Sequence, residues 1–80
     1  MTAKQIEKTI DILTKQFNND CSKFDRLLYI INYSHDKIKG VYHYASICNE
    51  MNKLEERMER NKHDCEKLCY MHKLITKTLV

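Results

Sequence analysis

An all-α fold is predicted by three features of the 80-residue chain. It has one glycine and no proline, its apolar residues recur at alternating three- and four-residue intervals, and its 14 basic and 11 acidic side chains are interspersed. Hairpin-rich β folds turn on glycine, Asn-Gly pairs and proline, and Gly40 is the one glycine available. The apolar spacing is that of an amphipathic helix. The length predicts a single helical domain over 1–80. The expected architecture is a small antiparallel bundle of four helices, near 3–18, 21–39, 42–60 and 64–79. The alternative is a short helical hairpin followed by one long coiled-coil helix.

The first predicted helix opens on Thr2-Ala3-Lys4-Gln5, which has the pattern of a capping box. Its apolar stripe is Ile6, Ile10, Leu13 and Phe17, and Asn18-Asn19-Asp20 is expected to end it. The second, capped by Asp20 or Ser22, carries Cys21, Phe24, Leu28, Ile31, His35 and Ile38, widened by Leu27 and Ile30. Lys37, Lys39 and Gly40 are the cations and glycine that favour a helix end. A rival end lies at Asn32-Tyr33-Ser34, where three weak helix formers meet.

From Tyr44 a heptad seam runs without a slip through Ile47, Met51, Leu54, Met58, Asn61, Cys65, Leu68, His72, Ile75 and Leu79. A break at Asn61-Lys62-His63-Asp64 separates the third and fourth helices, because these are poor helix formers and Asp64 is a good cap. Without that break, a helix of about 36 residues must find a coiled-coil partner.

Composition excludes several function classes. Phosphate-cradling loops, dinucleotide fingerprints and nucleophile elbows each need two or more glycines at fixed spacing. No catalytic residues, and hence no enzyme, are expected, and no cofactor. The longest unbroken apolar stretch, Leu27 to Ile31, is far short of the ~20 residues that span a bilayer, so no membrane role is expected. With no secretory pattern at the start, a cytoplasmic protein with reduced thiols is expected. Lysine, isoleucine, asparagine and tyrosine make up 30 of the 80 residues, which suggests an AT-rich genome or a viral origin.

The sharpest local constellation is Cys65, Cys69 and His72, at i, i+4 and i+7 on one side of a helix, with His63, Cys48 or Cys21 to supply a fourth ligand. Zinc takes such donors, but zinc-binding modules bring two close-spaced pairs and here the second is missing. Cys65 and His72 also fall on the apolar seam, where a thiol packs as a small hydrophobe. No metal is therefore expected; a Cys/His metal-stabilised helical module is the alternative, with Cys48, Cys65, Cys69 and His72 as its candidates. A disulfide would have to join Cys65 or Cys69 to Cys48 or Cys21, because i, i+4 side chains in a helix stand too far apart.

The segment 29–44 gathers four tyrosines, His35, His43, Lys37 and Lys39. Rings and cations together suit either a protein interface, where tyrosine is a common anchor, or stacking on nucleic acid. A net charge of +3 does not by itself imply nucleic acid. The function expected is a non-enzymatic helical protein–protein interaction module, regulatory or adaptor, binding another protein or itself as a homo-oligomer. Its expected partner-binding residues are Tyr29, Tyr33, Lys37, Lys39, Tyr42 and His43. A nucleic-acid-binding helical bundle using the same segment is the further alternative.

Overall fold

The computed structural model describes residues 1–78 and is all-helical, but it holds two long helices rather than four short ones. Helix α1 spans Ala3–Tyr33, a 3-10 turn covers His35–Lys37, and helix α2 spans Val41–Thr78. The two pack against each other as an antiparallel hairpin 59 Å long and 15 Å across. At 1.5 Å per residue, the 38 residues of α2 account for about 57 Å of that length.

The capping box forms as the sequence predicts. The Thr2 hydroxyl accepts from the Gln5 backbone N–H at 3.2 Å, and the Gln5 side chain accepts from the Thr2 N–H at 2.9 Å.

Neither the break at 18–20 nor the one at 61–64 exists. The spacing of Ile6, Ile10, Leu13 and Phe17 continues through position 20 to Phe24, Leu27 and Ile31, so one seam serves all of α1. Asn18 and Asn19 face solvent. Asp20 and Ser22 cap nothing: Asp20 is buried in the seam, and the Ser22 hydroxyl donates to the Asn18 carbonyl one turn back. In α2, Asn61 is buried while Lys62, His63 and Asp64 point outward. Weak propensity costs each such residue up to about 0.7 kcal/mol relative to alanine, which an unbroken packed seam overrides. The long-helix alternative is thus right about continuity, but the partner of α2 is α1 of the same chain.

Helix α1 ends at Tyr33, the rival boundary, and not at 38–40. The Ser34 N–H still donates to the Ile30 carbonyl at 3.1 Å, after which the chain tightens into the 3-10 turn. Gly40 takes φ +136°, which L side chains avoid, but it opens α2 instead of closing α1; its carbonyl accepts from the Tyr44 N–H at 3.0 Å. On the α1 stripe, half-buried Leu27 replaces the expected Leu28, which is 40% exposed, and His35 lies exposed in the turn.

In α2 the predicted seam holds: Ile47, Leu54 and Asn61 are buried, Met51, Met58, Cys65, Leu68, His72 and Ile75 are half-buried, and Tyr44 is the exposed first member. The last predicted member, Leu79, lies outside the described residues. A two-helix layer shields little. Ile6, Ile47 and Leu54 are the fully buried apolar side chains among the described residues, so most seam residues gain less than the ~1.5–3 kcal/mol of complete burial.

Candidate functional site

Four side-chain contacts along the hairpin fix one register. Cys21 meets Met58, Asp20 meets Arg57, Gln16 meets Asn61, and Glu7 meets His72. The two residue numbers of each pair add to between 77 and 79 over the length of the hairpin, as an antiparallel pair without bulges requires.

Polar residues occupy the middle of this seam. Asp20 is 1% exposed and takes a two-pronged hydrogen bond from the Arg57 guanidinium, Nε to Oδ2 at 2.7 Å and Nη2 to Oδ1. These bonds hold the Asp20 carboxyl below its ordinary 3.8, against the opposing effect of burial. One turn away, the Asn61 side-chain amide donates to the Gln16 side-chain Oε1 at 3.2 Å. Sequence reasoning missed this layer because it read Asp20 as a helix terminator. The available signal was that the 4-3-4 spacing from Ile6 passes through position 20.

Beyond the polar layer, away from the turn, a groove of 520 Å³ runs along one side of the hairpin. Thr14 and Phe17 of α1 form one wall, and Cys65, Cys69 and Tyr70 of α2 form the other, with Lys62 and Lys73 at its rim. It runs on into a smaller hollow beside Glu7, Ile10 and His72. The cause is side-chain size. The register sets Phe17 level with Asn61 and Leu13 level with Cys65, short side chains where a leucine would fill the space.

The structure does not gather the metal candidates. Cys48 and Cys65 stand 17 residues apart on one continuous helix, about 25 Å. His72 turns its Nε2 to the Glu7 carboxylate at 3.0 Å, Cys21 lies 3.4 Å from the Met58 sulfur, and all four cysteines are unpaired thiols. Among the described residues no group of three or more His, Cys, Asp or Glu side chains is placed to hold a metal ion.

All six expected partner-binding residues lie at the closed end. Tyr29 and Tyr33, one turn apart on α1, stack at 5.3 Å between ring centroids with a 39° tilt. Tyr29, Tyr33 and Tyr42 are 59%, 75% and 93% exposed. Lys37 and Lys39 project from the connection, and the Lys39 N–H donates to His43 Nδ1 at 2.9 Å, which ties the turn to the first coil of α2. That acceptor role requires the neutral imidazole. Among the described residues no helix is long and apolar enough to cross a membrane. Comparison with protein families, with curated proteins and with solved structures finds no match, so any functional reading rests on this chain's own residues.

Proposed function

We propose that the chain is a non-enzymatic interaction module, regulatory or adaptor in role, whose closed end binds an acidic surface of another protein. The observation that carries this reading is the exposure of Tyr29, Tyr33 and Tyr42 at one end of the rod, beside Lys37 and Lys39. Exposed aromatic rings on a rigid base are the side chains that most often anchor protein interfaces, since they bring large contact area with little rotamer entropy to lose. From 29 to 44 the formally charged side chains are Lys37 and Lys39 against Asp36 alone. The charge therefore favours a partner carrying carboxylates around an apolar anchor.

A random peptide-display library tests the proposal. The native chain should enrich peptides that combine Asp or Glu with a large apolar residue, and the variant Lys37→Glu/Lys39→Glu/Tyr42→Ala should lose that preference while keeping its helicity. Enrichment without acidic preference, or enrichment untouched by the variant, would overturn it. Binding of a single-stranded oligonucleotide that collapses with added salt would favour the nucleic-acid reading instead.

A further inference from the structure

We infer that the grooved flank of the hairpin is covered by a second copy of the chain, the two hairpins lying antiparallel to make a four-helix assembly. The inference does not rest on the closed-end reading, because it uses none of the residues at the closed end.

Area is the first argument. The chain exposes 6561 Å², whereas a compact monomer of 9.6 kDa exposes about 5,100 Å². A rod this slender therefore exposes about 1,500 Å² more than a compact monomer, enough surface to supply the ~800 Å² per partner of a standard interface.

The groove is the second argument, because its apolar lining marks a flank of the rod that the chain leaves uncovered. Its walls are mostly apolar, and Phe17, Cys65 and Cys69 line it without closing it. A facing helix would bring to Phe17 the packing that Asn61 and Cys65 are too short to supply.

Charge selects the occupant and its direction. Residues 50–66 of α2 carry six acidic and four basic side chains, whereas 67–78 carry Lys67, Lys73 and Lys77 and no acid. Two parallel copies would set like ends together. Antiparallel copies related by a two-fold axis near Cys65 set Lys73 of each beside Glu55 and Glu59 of the other.

Sedimentation equilibrium in the presence of reductant tests this, so that no adventitious disulfide contributes. The native chain should run at twice its 9.6 kDa chain mass. Cys69→Glu, at an exposed groove position outside the hairpin's own seam, should weaken association roughly tenfold or more with helicity unchanged. Lys73→Glu should weaken it as well, and adding Glu55→Lys with Glu59→Lys should restore it. A native chain that stays monomeric, a trimer or larger ring, or a dimer indifferent to Cys69→Glu and Lys73→Glu would each overturn the inference. The closed-end variant Lys37→Glu/Lys39→Glu/Tyr42→Ala should leave the mass unchanged, which keeps failure here distinct from failure of the peptide test.

Discussion

The two halves of the rod differ in how completely they fill themselves. On the turn side of the Asp20–Arg57 pair, the register sets Phe24 level with Leu54, Leu27 with Met51 and Ile31 with Ile47, so large apolar side chains meet in every layer. On the other side, Phe17 stands level with Asn61, Leu13 with Cys65 and Ile6 with His72, and Ile10 with Leu68 is the one layer of two large apolar side chains among them. The first half buries Ile47 and Leu54, and the second buries Ile6 at its far end. The second leaves a 520 Å³ groove. One unbroken heptad pattern thus yields a self-sufficient half and an incomplete half, and the difference lies in side-chain size and not in periodicity.

Truncations should expose that contrast most strongly. Leu54→Ala should cost about 2–4 kcal/mol in chemical denaturation, because a buried cavity has no way to refill. Leu68→Ala, at a half-buried seam position of the other half, should cost only about 1–2 kcal/mol at protein concentrations too low for association. Equal losses would show that the halves pack alike.

The border between the halves should be nearly as sensitive. Arg57→Ala removes both hydrogen bonds to the Asp20 carboxylate and should lower the thermal midpoint, though by less than loss of a fully buried partner would, because 42% of the Arg57 side chain meets water. Acid acts on the same pair. The Asp20 carboxyl titrates below its ordinary 3.8 in the folded chain, so its stabilisation is complete above that value and is lost as pH falls through the lowered one. The thermal midpoint of the native chain should therefore drop more steeply in strong acid than that of Asp20→Asn. Parallel curves would remove the ion pair from the stability of the fold.

The smallest effect belongs to the open end. Thr2→Ala removes the acceptor for the Gln5 N–H and should cost about 0.5–1 kcal/mol, seen as fraying of the first turn of α1.

Much of this fold was legible in the sequence, and the illegible part has one cause. The capping box at Thr2 and Gln5 and the seam from Tyr44 to Ile75 follow from local spacing alone. The expected breaks at Asn18-Asn19-Asp20 and Asn61-Lys62-His63-Asp64 followed from the same local rules, which treat a polar residue as a stop. Asp20 and Asn61 are instead held inside by Arg57 and Gln16 on the opposite helix, partners that no reading of one helix at a time can see. The groove was hidden for the same reason, since a cysteine or asparagine on a seam becomes a void only when its opposite number is known. The tyrosine and lysine positions of 29–44 were legible as a group because they are adjacent in sequence, whereas their meeting at a chain reversal depended on where α1 ends.

Residue-resolved amide hydrogen exchange along α2 at low and high protein concentration tests the contrast most directly. Protection from 47 to 58 should be strong at both concentrations, and protection from 61 to 75 should be weaker at low concentration and rise at high concentration as a second copy covers the groove. Uniform protection along α2 that ignores concentration, or an unprotected gap at 61–64, would contradict it.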